Sequence, residues 1–231
     1  MLILALDSST SAVTVAVARA GESEEREVLG EISIYSRGAS EALLPAAHSV
    51  LTLVGADLDK VERILVGIGP GTFTGIRIAL AAARSLSLAT GAPLSSNSTL
   101  AALAAPALVT AESSEVLAVL DARRGQVFTQ RFTESGIRSE ILCAAPKEFM
   151  ALRRARDAPF VVVGDGAVRY REELLALGRI PPDTSPLHQV RATGHVLSAN
   201  LITVPAHEVV PLYVREPDAE VRKDLNPWST A

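Results

Sequence analysis

One order of elements occurs twice along this chain, and that repetition constrains the fold more than any single motif. Residues 2–6 (LILAL) and 12–18 (AVTVAVA) read as strands joined by the turn Asp7-Ser8-Ser9-Thr10-Ser11. A third strand near 28–35 follows an acidic hairpin around Gly21–Glu27. Then come a helix over 40–54, a strand over 63–68 and a glycine turn. The second half repeats this: strand 116–120, turn Asp121-Ala122-Arg123-Arg124-Gly125, returning strand 126–132, strand 137–143, helix 146–155, strand 160–163 and the turn Gly164-Asp165-Gly166. Strands interleaved with helices predict an α/β fold, and the doubling predicts two related lobes meeting at a cleft.

The first glycine turn is Gly69-Pro70-Gly71-Thr72-Phe73-Thr74-Gly75, between the strand 63–68 (RILVGI) and a helix over 76–90 stopped by Gly91 and Pro93. Glycines there permit a tight backbone path that a Cβ would block. The helix N-terminus carries unpaired N–H groups and partial positive charge, so Gly69, Gly71, Thr72 and Gly75 are candidate phosphate contacts beside Asp7 and Ser8. The spacing matches neither the dinucleotide fingerprint nor the P-loop. A turn that merely lets a helix pack closely is the competing reading.

The segment 94–105 closes the first half with a short strand and an Ala-rich helix, broken at Pro106. This places a first lobe at 1–105 and a second at 106–231. Residues 178–189 (GRIPPDTSPLHQ) read as a loop. A helix over 192–203 could cross back to the first lobe, and the charged tail after Asp218 is expected to fray.

Apolar residues make up 48% of the chain and aromatics only 4%, so Ala, Val, Leu and Ile must build the core. Net charge is −4, with 22 basic against 26 acidic residues, which gives no electrostatic case for direct nucleic-acid binding. Arg153, Arg154, Arg156, Arg169 and Arg171 are matched by neighbouring acids and read as a solvated surface. Cys143 is the single cysteine, consistent with a reducing compartment, and in ILCAA it reads as a small core residue. The opening MLILAL runs into Asp7 and is too short to span a membrane, so a cytoplasmic location is expected.

Asp7 and Asp121, each at a strand end, are the candidate carboxylates. Asp or Ser in such a turn also bonds its own backbone, and Arg123 and Arg124 could pair with Asp121. No serine, among Ser8, Ser9, Ser11, Ser96 and Ser98, sits in a Gly-x-Ser-x-Gly elbow. His48, His188, His195 and His207 show no i, i+4 pairing, and His207-Glu208 lacks the second histidine of a zincin motif. No metal or other cofactor is expected.

Asp7 after an apolar strand, GPGTFTGIR, Ser98-Thr99-Leu100, LDARRGQVF and the terminal PLYVR together resemble the bacterial TsaB (YeaZ) family over nearly the whole chain. The resemblance implies the actin-like fold shared with sugar kinases and heat-shock ATPases. It also implies a non-catalytic role beside TsaD, which transfers threonylcarbamoyl to adenosine 37 of tRNA. A TsaE-type ATPase would join the pair, the chain would form a homodimer when alone, and tRNA would be met only through the complex. TsaD-type enzymes hold a metal with two histidines four apart. Aligned on Asn97, this chain has Ser98 and Ala102 there, which removes the transferase site and a metallopeptidase reading. A phosphotransferase using Asp7, the GPGTFTG amides and Gly164-Asp165-Gly166 is the alternative.

Helices 40–54 and 76–90 are apolar all round, the mark of burial on two sides. Pro45 marks either a late start or a kink. The chain's own second lobe could cover the extra face, or a partner could. The resemblance favours a partner interface at Leu43, Ala47, Val50, Val54, Ile76, Ala79, Leu80, Ala83 and Leu86.

Overall fold

A computed structural model describes residues 1–21, 25–35, 38–110, 115–137, 139–152 and 160–215. The arginines at 153, 154 and 156, the hairpin tip at 22–24 and the tail after 215 lie outside the described residues. The first sheet holds β1 (Leu2–Asp7), β2 (Ala12–Ala20), β3 (Arg26–Tyr35), β4 (Arg63–Gly67) and β5 (Leu94–Asn97), in the order β3-β2-β1-β4-β5. β1 and β2 pair antiparallel from Leu2↔Arg19 to Asp7↔Thr14, whereas β4 runs parallel to β1 and β5 parallel to β4. Helices α1 (Ala39–Leu53) and α2 (Phe73–Thr90) supply the crossovers.

The second sheet repeats the scheme. It holds β6 (Glu115–Arg123), β7 (Gln126–Thr133), β8 (Gly136–Ile137), β9 (Leu142–Ala144), β10 (Phe160–Val163) and β11 (Gly178–Arg179). The order is β11-β10-β6-β7-β8, with β9 also on β7. β6 and β7 are antiparallel and β10 is parallel to β6. This is the two-lobe, actin-like α/β architecture. The helices between are α3 (Thr99–Thr110), α4 (Pro146–Leu152), α5 (Asp165–Arg169), α6 (Arg171–Leu174) and α7 (Ala192–Ser198).

Continuous apolar strands form because both sheet faces are covered. Leu4 and Leu6 of β1 join the core under α1 and α2, while Ile3 and Ala5 face the opposite cluster with Ala192 and Val196 of α7. In β6, Val116, Ala118 and Leu120 meet Leu100, Leu103 and Ala107 of α3, whereas Leu117 and Val119 pack with Leu174 and Leu177. Helix α3, which follows the first sheet in sequence, therefore packs on the second. Helix α7 does the reverse, and the two helices cross each other between the lobes.

Several local expectations are corrected. Helix α3 runs through Pro106 to Thr110, so a lobe boundary at 105/106 falls inside a helix. Proline supplies no N–H for the Ala102 carbonyl. That carbonyl instead faces Gly194 of α7, where an added Cβ would lie 2.0 Å away. Pro45 sits inside α1, which begins at Ala39, and both Pro45 and Glu41 one turn before it are exposed. Water can therefore satisfy the carbonyl that Pro45 leaves unpaired. Helix α2 begins within the glycine motif, capped by the Thr72 hydroxyl and ended by Gly91 at φ +76°. Helix α7 ends at Ser198, and the strand expected over 137–143 is divided between β8 and β9.

Candidate functional site

The Asp7 turn and the glycine turn meet face to face. Asp7 Oδ1 accepts the Ser9 N–H at 2.5 Å, the Asx turn that its position predicts. The Ser8 hydroxyl donates to the Gly75 carbonyl at 2.8 Å, and the Thr72 N–H donates to the Ser9 carbonyl at 2.6 Å. A Cβ at Gly75 would lie 1.9 Å from the Ser8 carbonyl, and one at Gly71 would lie 2.2 Å from that of Ser9. The Gly75 N–H goes to the Thr72 hydroxyl at 3.3 Å. Gly69 is buried, and its carbonyl accepts the Thr99 N–H. Asp7, Ser8, Gly69, Gly71, Thr72 and Gly75 thus come together as an internal joint. The Asp7 turn packs directly on the glycine turn, so these residues serve at least the contact between the two turns.

Asp7 is sealed from the other side by a residue 188 positions away. Its Oδ2 lies 2.7 Å from His195 Nε2 and accepts the Thr99 hydroxyl at 3.1 Å. Both Asp7 and His195 are within 1% of complete burial. The Asn97 amide donates to Ser198 Oγ at 2.7 Å and sits 3.3 Å from His195 Nδ1, which orients the ring with Nε2–H toward Asp7. Burial alone would raise the Asp7 pKa. The His195 hydrogen bond, the charge the ring carries when protonated and the Ser9 contacts outweigh it and hold the carboxyl below its usual value. Gly67 is required here as well, since a Cβ would lie 2.1 Å from Asp7 Oδ2.

The corresponding turn of the second lobe is open. Asp121 accepts the Arg123 N–H at 2.9 Å and pairs with the Arg123 and Arg169 guanidiniums at 3.3 and 3.6 Å. The Asp165 carboxylate caps the Asp121 N–H at 2.9 Å. Burial and the Asp121 charge push the Asp165 pKa up, against the Asp121 N–H and Arg123. Gly164, at φ +114°, and Gly166 lie against Val119 and Leu120 of β6, so the Gly-Asp-Gly turn serves a close strand contact. Between the lobes lies a cavity of about 320 Å³ lined by Thr10, Ser11, Tyr35, Asp165, Arg169 and His188 among others.

The remaining candidates are dispersed. His188 is buried and bonds the Gly164 backbone and the Pro181 carbonyl, while His48 and His207 are exposed. Cys143 is half-buried against the second core, and burial raises its thiol pKa. Arg171 pairs with Asp183. Among the described residues no cluster of three His, Cys, Asp or Glu side chains could hold a metal, and no helix is long and apolar enough to cross a membrane. The residue that sequence reasoning missed is His195. Its only local signal is the small-residue setting Ala192-Thr193-Gly194, which fits a helix packed at close range.

The chain is similar to known proteins. The family described as TsaD, tRNA N6-adenosine threonylcarbamoyltransferase, matches residues 33–162. The uncharacterized protein Rv3421c of Mycobacterium tuberculosis is 34% identical over 94% of this chain and 93% of its own length. The tRNA threonylcarbamoyladenosine biosynthesis protein TsaB of Bacillus subtilis is 26% identical over 96% of this chain and 97% of its own. The solved structure of YeaZ from Pseudomonas aeruginosa superimposes with a TM-score of 0.70 at 26% identity, covering 92% of this chain and 99% of that one. The chain belongs to the TsaB/YeaZ family.

In this TsaB/YeaZ chain, Ser98 and Ala102 stand where the resemblance places histidines in TsaD-type enzymes. Ser98 Oγ is buried without a hydrogen-bond partner, and Ala102 is jammed against Gly194. The interface expectation also changes. Leu43, Ala47, Val50, Ile76, Ala79, Leu80 and Ala83 are buried in the first-lobe core, and Val54 and Leu86 pack against it. The apolar side chains left exposed on these helices are others. Leu44 is 47% exposed, Leu53 78% and Leu88 89%, and Ala81 and Ala89 lie beside them on α2. An all-round apolar helix gives no phase to its pattern, so the sequence alone does not tell the core-facing stripe from the outward one.

Proposed function

We propose that this chain is a non-catalytic partner of a TsaD-type transferase in threonylcarbamoylation of adenosine 37 in tRNA, acting in the cytoplasm. The carrying observation is full-length similarity to a protein named for tRNA threonylcarbamoyladenosine biosynthesis, together with the TsaD-family match. The local chemistry supports it. Asp7 accepts from Ser9, Thr99 and His195 and has no free lone pair directed at a cleft. The Thr72 hydroxyl caps α2 by accepting the Gly75 N–H, and the Thr72 N–H is taken by the Ser9 carbonyl.

The exposed faces of α1 and α2 carry the partner contact in this reading, centred on Leu44, Leu53 and Leu88. Exposed leucines on two neighbouring helices, Leu53 and Leu88 above all, gain from being covered by a second apolar surface. The interface would reach the standard size of about 1,600 Å² in total. The same faces pair two copies when no transferase is present, and a TsaE-type ATPase and tRNA engage the assembled pair. The test is reconstitution of the modification on tRNA with purified transferase, with and without this chain. Modification only when the chain is present is expected. Equal modification without it, or ATP turnover by the isolated chain, would overturn the reading.

A further inference from the structure

We propose that α7 acts as a latch through which the second lobe sets the partner-binding face of the first, an inference that rests on α1 and α2 being that face. Helix α7 belongs to the second half of the chain, yet its polar contacts reach two first-lobe supports. His195 grips Asp7, and the adjoining Ser8 and Ser9 bear directly on Gly75, Gly71 and Thr72, the first turn of α2. Arg191 pairs with Glu31 of β3, and the Thr193 N–H donates to the same carboxylate at 3.0 Å. The backbone of β3 is the floor of α1, since a Cβ at Gly30 would lie 2.8 Å from Val54 and 3.4 Å from Val50. The Ala192 N–H donates to Thr14 Oγ1 on β2 at 2.9 Å, between these two grips.

One short helix thus holds the seat of α1 and the seat of α2 at once. Two side-chain pairs, His195–Asp7 and Arg191–Glu31, and two backbone N–H bonds, from Ala192 and Thr193, make the grips. Gly30, Gly71 and Gly75 bring the gripped segments close to α1 and α2. A shift of α7 changes the angle between the two helices and so the shape of the exposed face. Tightly packed elements of this kind pass on displacement rather than absorb it. Coupling between two sites is reciprocal, so partner binding must also tighten α7.

The test uses the full chain and a TsaD-type transferase, with calorimetry for affinity and amide hydrogen exchange for local opening. In the wild type, transferase binding should slow exchange at residues 192–198, which lie off the α1–α2 face. In His195→Ala and Glu31→Gln, exchange should rise at 192–198 and at the start of α2, and the Kd should weaken about tenfold. A loosened α7 with an unchanged Kd would overturn the latch while leaving the interface intact. Should His195→Ala fail to fold, unchanged exchange at 192–198 on wild-type binding overturns it equally. Leu88→Asp separates the two ideas. It should abolish binding with α7 protection unaltered, and tight binding by that variant would sink the interface reading and the latch with it.

Discussion

The two lobes carry the same aspartate turn in opposite states. Asp7 ends β1 in complete burial, saturated by Ser9, Thr99 and His195. Asp121 lies near the end of β6 with its carboxylate largely covered, balanced by Arg123 and Arg169, whose side chains are 65% and 60% exposed. One duplicated unit has been turned into a structural joint, and its copy holds an ion cluster whose arginines reach solvent. The difference arises from what each turn meets. Glycines at 67, 71 and 75 admit the first turn into the body of the lobe, whereas the second meets the Gly164-Asp165-Gly166 turn on one side and arginines on the other.

The sharpest way to break this comparison is Gly75→Ala. The new Cβ would meet the Ser8 carbonyl, a backbone atom that cannot step aside. A loss of about 3 kcal/mol is expected, seen as a fall in melting temperature of roughly 10 °C. Survival of the wild-type melting temperature would mean that the two turns are not in rigid contact.

A matched pair of charge removals comes next. Asp7→Asn leaves His195 or Thr99 facing an amide donor inside the core and should cost about 2–4 kcal/mol. Asp121→Asn removes a covered carboxylate whose two arginine partners are exposed, and should cost less than the Asp7 change, about 1–2 kcal/mol. The pH dependence sharpens the contrast. The Asp7 pKa in the fold lies below the ordinary 3.8, so its contribution is present above that value and is lost as pH falls through the lowered one. Denaturant titrations from pH 7 to pH 3 should therefore show an acid-limb slope in the wild type that is reduced in Asp7→Asn. Equal slopes would remove Asp7 as the source.

The smallest effect belongs to Asp165. Its raised pKa means that the ionised form is disfavoured by the fold, so at neutral pH its charge costs stability. Asn keeps an acceptor for the Asp121 N–H and removes the repulsion with Asp121. The residue as a whole is solvent-exposed, so screening limits the gain, and Asp165→Asn should raise the melting temperature by about 1–2 °C. A fall would show that the carboxylate is held by more than the Asp121 amide.

What could be read from the sequence follows the range of the interactions. Apolar runs such as LILAL and FVVV announce strands, and the glycine motif announces a close backbone approach, because these signals are local. The partner of that approach was not legible. Asp7 and His195 are joined only by the fold, and nothing in the spacing of either residue marks the other. The phase of α1 and α2 was hidden for a different reason: alanines and leucines around the whole circumference leave no polar side to orient the helix. Pro106 looked like a helix end because the carbonyl it frees is ordinarily a liability. Here that carbonyl, on Ala102, lies against Gly194 of a neighbouring helix that no local signal predicts at this place.

The exchange of α3 and α7 between the lobes bears on how the molecule can be made. Each half of the chain carries the lid of the other half's sheet. If residues 1–110 and the remainder were synthesised as two polypeptides, neither could close its own apolar face. Each would need its complement present at the moment of collapse. The duplicated unit is therefore not a module that can be cut out and passed on by itself, and the smallest inheritable piece of this fold is the interlocked pair.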